Sequence, residues 1–311
     1  MPGGWQRGAG WGPRVIDAGE RAAEGSCTSQ RTSGDSVLVI GGGFLAIALA
    51  YQLAQAGTAE VWLLPQRVSE SVGSTGVAGA ALWLAPDDAE FEDRVSLAED
   101  SLRFVEDLSV PARRGIGLRE GLARAQIDGS VWIERRAHLL SPAAFSAFLW
   151  DRARALGARV YSGCPDLFGG RQRVWATGAC IQNGGLAEGE RLRWLRAWIG
   201  TTASFAFGLR ISWVDSVYYI QRGSRIVAGE FSTPAAPPSE DLPANSPLHR
   251  HALPGSIRWY RGGVWPEIYA KVGYPELVHV GARLYFRGGS GSGIRYGLGA
   301  ARRAVLRLGL R

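Results

Sequence analysis

The sequence predicts an α/β protein in which a parallel sheet is interleaved with a smaller, mostly antiparallel one. Three observations predict it. Val37-Leu38-Val39-Ile40 is a continuous apolar run, the pattern of a strand buried on both faces. It leads directly into Gly41-Gly42-Gly43, a helical pattern from Phe44 to Ala56 and a second apolar run, Val61-Trp62-Leu63-Leu64. Far downstream, Val217 to Ile220 and Arg225 to Ala228 are short strand patterns joined across Gly223-Ser224, which reads as a hairpin.

Taken in order, residues 1–34 are rich in Gly, Ser, Arg and Thr and carry no helical or strand period. They are expected to be a disordered extension, or the product of a start codon assigned too early. The first helix stops at Gly57, in the manner of a glycine C-cap. With its two strands it makes a βαβ unit, whose crossover is expected to be right-handed. Asp88 to Leu108 is a long helical pattern with charges on one face. Ser141-Pro142 opens another helix, serine at the N-cap and proline in the first turn, and this helix runs to Leu156 and stops at Gly157. Arg173 to Ala176 is a strand pattern ending in Thr177-Gly178. Asn183 to Ser216 is rich in tryptophan and poorly periodic. Pro234 to Pro254 reads as a surface loop, and Gly288 to Gly293 precedes an arginine-rich helix from Ile294 onward. The chain has no internal repeat.

Composition narrows the function classes. With 311 residues, 46% of them apolar, the chain can bury a sizeable core and is no disulfide-stapled miniprotein. Cys27, Cys164 and Cys180 are odd in number, far apart and form no CxxC, which points to a reducing compartment and no structural zinc. The four histidines, His138, His249, His251 and His279, are scattered and read as structural or surface residues, so no metal site is expected. The net charge is +7, and all but one of the 35 basic residues are arginines, Lys271 being the single lysine. The arginines are spread along the chain and form no basic helix, which argues for coding bias and against nucleic acid as a partner. Val37 to Ala56 is long enough to suggest a membrane span, but its glycines divide it into strand, turn and helix. With no charged-then-apolar leader either, a cytoplasmic protein without membrane attachment is expected.

The chemistry begins at the glycine turn. Gly41-Gly42-Gly43-Phe44-Leu45-Ala46 fits G-x-G-x-x-G/A between a strand and a helix. Gly41 allows the tight turn, Gly43 lets backbone approach a pyrophosphate, and Ala46 lets helix pack closely on strand. The phosphates of a dinucleotide would sit on the helix N-terminus, where backbone N–H groups and the helix dipole favour negative charge. The second strand should end at an acid that holds the ribose hydroxyls. Here it ends Leu64-Pro65-Gln66-Arg67, so Gln66 offers a neutral hydrogen bond and Arg67 a phosphate or adenine contact.

With four further stretches, the turn resembles the FAD-dependent D-amino-acid oxidase and glycine oxidase family. Ser74-Thr75-Gly76-Val77-Ala78-Gly79-Ala80-Ala81-Leu82-Trp83 is similar to that family's second flavin motif, with small residues that let backbone lie against a planar ring. Val174-Trp175-Ala176-Thr177-Gly178-Ala179 matches its Ala-Thr-Gly motif. Tyr218-Tyr219-Ile220-Gln221 through Val227-Ala228-Gly229 resembles its substrate-sheet hairpin. Gly289-Ser290-Gly291-Ser292-Gly293-Ile294 resembles its C-terminal flavin motif. The order and broad spacing agree across residues 37 to 305.

The resemblance implies a Rossmann-like FAD-binding domain over residues 35–110, 136–182 and 262–311. A substrate domain is implied over 111–135 and 183–261. It implies oxidation of the carbon of an amine or amino acid by hydride transfer to flavin N5, giving an imine, with O2 or another acceptor reoxidising the flavin. Gly41, Gly42, Gly43, Phe44, Leu45, Gln66, Arg67, Ser74, Thr75, Ala78, Gly79, Thr177, Gly178, Gly289, Ser290, Gly291, Ser292, Gly293 and Ile294 would contact FAD. Tyr218 falls where the family places a tyrosine that touches substrate; the alternative is a half-buried strand tyrosine.

Two departures stand out. The family's carboxylate-binding arginine, in Gly-x-Arg-Pro, aligns with Trp265 of Gly263-Val264-Trp265-Pro266. An indole cannot pair with a carboxylate, but it can stack on a ring or bind a cation over its face. A bulky, aromatic or carboxylate-free substrate fits that change. Arg258, Arg261 and Arg283 lie near in sequence as substitutes, and Gly281-Ala282-Arg283-Leu284 is a rival alignment. Secondly, few residues separate Val160 from Ala176, where the family has a strand meander covering the adenine. A trimmed, catalytically impaired FAD-binding paralogue, with a scaffold role or as a decaying gene product, is the alternative these departures favour. A plain NAD(P) reductase is disfavoured, since it leaves the Ala-Thr-Gly and C-terminal glycine stretches without a role.

Overall fold

The computed structural model describes residues 36–58, 60–64, 80–85, 88, 92–127, 131–170, 172–178, 186–188, 190–202, 210–214, 217–222, 225–232, 257–270, 272–289 and 293–309. The first strand, β1 (Ser36–Ile40), is buried along its whole length, as its unbroken apolar run predicts. α1 (Phe44–Gln55) and β2 (Glu60–Leu64) complete the βαβ unit, with β1 and β2 parallel from Ser36↔Glu60 to Ile40↔Leu64. Two residues, Ala81 and Leu82, form β3. The helical pattern predicted from Asp88 to Leu108 forms one helix, and a short second helix beyond the predicted range follows it. α2 spans Glu92–Glu106, and α3, Val110–Gly115, starts after Ser109 with Pro111 in its first turn. Asp88 stands outside α2 because its carboxylate accepts the N–H of Ala85 at 2.9 Å.

β4 (Arg119–Ile127) and β5 (Val131–Leu139) make an antiparallel hairpin. α4 (Pro142–Ala155) follows, and the Ser141 hydroxyl accepts the N–H of Ala144 at 3.3 Å, as the serine-proline start predicts. Then come β6 (Arg159–Val160), a short 3-10 turn over Pro165–Leu167, and β7 (Gln172–Trp175). The tryptophan-rich stretch expected to be irregular instead holds β8 (Arg191–Thr202) and β9 (Arg210–Val214). Apolar, aromatic and arginine residues mix on both of their faces, so no simple alternation shows in the sequence. β10 (Val217–Arg222) and β11 (Arg225–Ser232) form the predicted hairpin, Arg222 opposite Arg225; the turn between them lies outside the described residues, as does the predicted loop at 234–254. The chain closes with β12 (Ile257–Tyr269), β13 (Glu276–Val280), β14 (Arg283–Arg287) and α5 (Gly293–Arg307).

These strands build two sheets. The six-stranded sheet runs β13-β14-β7-β1-β2-β6, parallel except for the β13 edge. Its residues alternate between two cores. Val37, Val39, Val61, Leu63 and Val174 face α1, α4 and α5. Leu38, Ile40, Trp62, Trp175 and Tyr285 face the other way, where Tyr161 and Phe168 cover them. Those two rings meet edge-on at 5.4 Å, so the short connection between β6 and β7 seals this face with two aromatics. Burying side chains of this size contributes about 1.5–3 kcal/mol each. The eight-stranded sheet runs β12-β8-β11-β10-β9-β4-β5-β3 and is antiparallel except where β4 meets β9. Pro266 lies on β12, an edge strand, the place in a sheet where proline is best tolerated. Among the described residues, no helix is long and apolar enough to cross a membrane.

Candidate functional site

Three glycine-bearing turns meet at the N-terminus of α1. Gly41 ends β1 at φ +149°, a conformation side chains rarely adopt, and a methyl group placed on it would lie 2.3 Å from the carbonyl oxygen of Ala176. That close crossing is fixed from the other side, because the Ala176 N–H donates to the Ile40 carbonyl at 2.8 Å. Ala46 is the third party: its Cβ would be 3.2 Å from the same methyl group. Each of the roles read from Gly41 and Ala46 therefore has a physical counterpart. Gly43 has an ordinary φ of −82° and sits at the helix N-cap, where, as glycine, it has no side chain of its own to cap the first turn. Gly42 beside it is exposed, and Phe44 is buried.

The second turn is Thr177-Gly178, directly after β7. Thr177 is half-buried, and Gly178 is exposed at φ +63°. The third is the stretch after β14. Gly289 and Gly293 both lie against Leu45 of α1, at 3.8 and 3.9 Å from where their Cβ atoms would be. Ile294 is buried in the core that holds α1. α5 then docks along α1 and α2 through its glycines. A methyl group on Gly297 would be 2.7 Å from the Phe44 ring, and one on Gly299 would be 2.8 Å from the Leu97 carbonyl oxygen.

Gln66, Arg67, Ser74, Thr75, Ala78, Gly79, Ser290, Gly291 and Ser292 lie outside the described residues, as do Lys271, His249 and His251. The chain re-enters at Ala80, which has a positive φ of 48° although it is not glycine. Three residues later Trp83 is buried in the core of the eight-stranded sheet, with Tyr218, Ile220, Ile211, Ala123 and Ala125. The end of the predicted second flavin motif thus touches the face that carries Tyr218.

Tyr218 is only 8% exposed. It pairs across the strands with Gly229, and its ring lies over that residue: a methyl group on Gly229 would be 2.4 Å from both Cζ and the phenol oxygen. The row continues through Ala197 on β8 to Gly263 on β12. Position 265 is two residues along β12, opposite Leu195, so the register puts it on the same face as Tyr218. Arg283 is elsewhere. It starts β14 of the other sheet, where its guanidinium lies 4.7 Å over the Trp175 ring. Gly281 and Ala282 of the rival alignment are the tight turn between β13 and β14, with Gly281 at φ +58°.

Two buried ion clusters were not legible in the sequence. Arg287, at the end of β14, makes a two-point contact with Glu190, just before β8: Nε donates at 3.0 Å and a terminal nitrogen at 2.6 Å, and both side chains are under 5% exposed. This pair ties the third glycine turn to the base of the eight-stranded sheet. Asp88 accepts from the Tyr296 hydroxyl and the Ala85 N–H and lies 3.5 Å from Arg295, which pins the Trp83–Ala85 segment to the first turns of α5. The partners are about a hundred or more positions apart, and no local pattern signals them. Nearby, burial pushes the Glu276 carboxyl above its ordinary range; Arg307 opposes this and Glu190 adds to it. Burial and then Asp93 hold the Tyr274 phenol above its ordinary value. Of the histidines, His138 is buried on β5 with Nε2 3.0 Å from Glu106, and His279 is exposed on β13. Among the described residues, no three His, Cys, Asp or Glu side chains group as metal ligands.

No protein-family model matches the chain. No curated protein matches it either. Solved structures do. Glycine oxidase from Geobacillus kaustophilus superposes with a TM-score of 0.66 at 15% identity, over 88% of this chain and 93% of that one. Iminodiacetate oxidase from Chelativorans sp. BNC1 gives 0.64 at 16%, over 88% and 96%. L-proline dehydrogenase from P. horikoshii gives 0.64 at 13%, over 90% and 95%. At these identities the likeness is one of fold, and it covers both sheets.

Proposed function

We propose that this chain is an FAD-dependent oxidoreductase of the D-amino-acid oxidase and glycine oxidase kind, oxidising the carbon of an amine or amino acid. One observation carries the reading: three glycine-bearing stretches, distant in sequence, approach the start of α1, where Gly41 crosses the Ala176 carbonyl and Gly289 and Gly293 lie against Leu45. The cradle suits a dinucleotide, since the crossing at Gly41 has no room for a Cβ and brings backbone N–H groups and the helix dipole together. The solved structures it superposes on are oxidases and a dehydrogenase of amino acids and related amines, which supports the same reading.

In this reading Gly41 to Leu45 hold the pyrophosphate, Gln66 and Arg67 the ribose and adenine, and Thr177-Gly178 pass close to the dinucleotide. Ser74, Thr75, Ala78, Gly79 and Gly289 to Ile294 are the further residues that would hold the flavin. FAD held there would supply the hydride acceptor for oxidising the amine-bearing carbon to an imine. The chain's own part is to orient the substrate against that face and to exclude water. Tyr218 and Trp265 are the substrate-side residues, on one face of the eight-stranded sheet. Buried Trp83 closes that face on one side. The substrate is a bulky or aromatic amine, because Trp265 stands where a carboxylate-binding arginine is expected. O2 or another acceptor completes the cycle, in the cytoplasm. The FAD-binding part comprises 35–110, 136–182 and 262–311, and the substrate part 111–135 and 183–261. β5 and β12 straddle two of these boundaries and pair wholly within the eight-stranded sheet, so the sheets are the better guide to the division.

The test is the visible spectrum of the purified protein. Flavin bands that bleach under nitrogen on adding amines or amino acids support the proposal; a colourless protein that takes up no added FAD overturns it. A second reading, a trimmed FAD-binding paralogue without turnover, is favoured by the short connection between β6 and β7. It predicts flavin bands that no amine bleaches.

A further inference from the structure

We propose that Gly229 sets the size of amine this protein accepts, by letting Tyr218 lie flat along the sheet. The proposal rests on the functional reading above and names a selectivity device within it. Tyr218 and Gly229 face each other on β10 and β11. The phenol does not stand off the sheet as an unhindered strand tyrosine does; it folds across its partner, so close that a Cβ there would sit 2.4 Å from Cζ and the phenol oxygen and 2.5 Å from Cε1. Contacts that short cannot persist, so any side chain at 229 must lift the ring or displace the strand. The hairpin backbone is held on both sides, by β9 and β8, and the ring is the softer of the two. A lifted ring occupies the space above the face that carries position 265. With glycine, that space is left to the substrate. The neighbouring Ile220 and Val227 pair on the same face and are fully apolar, so the group received there is a hydrophobic substituent on the amine.

Gly229→Ala tests this in FAD-loaded protein. The readout is the ratio of kcat/KM for benzylamine and N-benzylglycine to that for methylamine and sarcosine. A group the size of a methyl is worth about tenfold or more in discrimination, and the ratio is expected to fall by that much. In a Tyr218→Leu background, where no ring can lift, the same substitution should leave the ratio unmoved. An unchanged ratio in Gly229→Ala, or equal falls in both backgrounds, overturns the proposal. Should Gly229→Ala alone not fold, Tyr218→Leu carries the test: its ratio is expected at or above that of the natural protein, and a fall overturns the proposal. A crystal structure of flavin-free Gly229→Ala separates the two levels of inference. A ring still flat over residue 229 sinks the device itself. A lifted ring in a protein that binds no FAD and oxidises no amine supports the device while overturning the functional reading.

Discussion

The two sheets use glycine differently. In the six-stranded sheet and its helices, two glycines sit where backbone meets backbone, Gly41 against the Ala176 carbonyl and Gly299 against Leu97, while Gly297 there meets the Phe44 ring. In the eight-stranded sheet, Gly229 sits beneath a side chain, the Tyr218 ring. A crossing of two main chains has no rotamer to yield, so its geometry is all or nothing. A ring can swing, so its geometry is tunable. The first arrangement fixes the path of the main chain; the second leaves a side chain that a larger residue can displace.

The largest effect that would sharpen this contrast is at the β1 crossing. Gly41→Ala forces a Cβ to within 2.3 Å of a carbonyl oxygen at an unfavourable φ, so it should destabilise the protein by about 3–5 kcal/mol, as overpacking and backbone strain combine. Urea midpoints read this directly. Gly229→Ala should cost only about 1 kcal/mol by the same measurement, because the ring moves; equal costs would break the comparison.

Next comes the pair that joins the two regions. Arg287→Met strands the Glu190 carboxylate in the interior and should cost about 3–5 kcal/mol, whereas Arg287→Met with Glu190→Leu should recover most of it. If the double variant is as unstable as the single one, the pair serves packing and not charge.

A smaller effect separates the sheets by pH. Glu276, at the edge of the six-stranded sheet, has its carboxyl raised by burial. Between its unfolded and folded values the native state binds more protons than the unfolded one, so stability falls as pH rises through that window. Thermal midpoints across the acid range should show this slope, and Glu276→Gln should flatten it. Glu120, in the eight-stranded sheet, is shifted the opposite way by its hydrogen bond from Arg136 and is exposed to solvent, so Glu120→Gln should change the profile little. The smallest effect expected is that of Arg124→Ala, which breaks an exposed cross-strand pair with Glu134 and should move stability by no more than about 0.5 kcal/mol.

How far the chain could be read ahead of its structure follows the same division. The βαβ unit, the Ser141-capped helix, β7 and the β10–β11 hairpin were legible, because each is set by residues next to one another: an apolar run, a cap, a turn. β8 and β9 were not, since apolar, aromatic and arginine residues mix along them and no alternation shows. α3 was not foreseen, because its 6 residues are too few to show a helical period. Of the candidate site, Gly41, Ala46, Thr177-Gly178, Gly289 and Gly293 could be named in advance, but not that Leu45 touches the last two. Arg283 looked like a rival carboxylate anchor, and its place on β14 follows from a Gly281-Ala282 turn whose strand partners had not been recognised.

By itself, then, the sequence determined what depends on near neighbours: the α/β class, the glycine turns and the helix starts, since backbone conformation and capping act over a few residues. Tertiary structure alone decided what depends on distant ones: the Arg287–Glu190 and Asp88–Tyr296 clusters, the convergence of three turns on α1, and the ring of Tyr218 lying over Gly229. Charge pairing and ring packing act only across a few ångströms of space. Nothing in the order of residues states which of them will be that close.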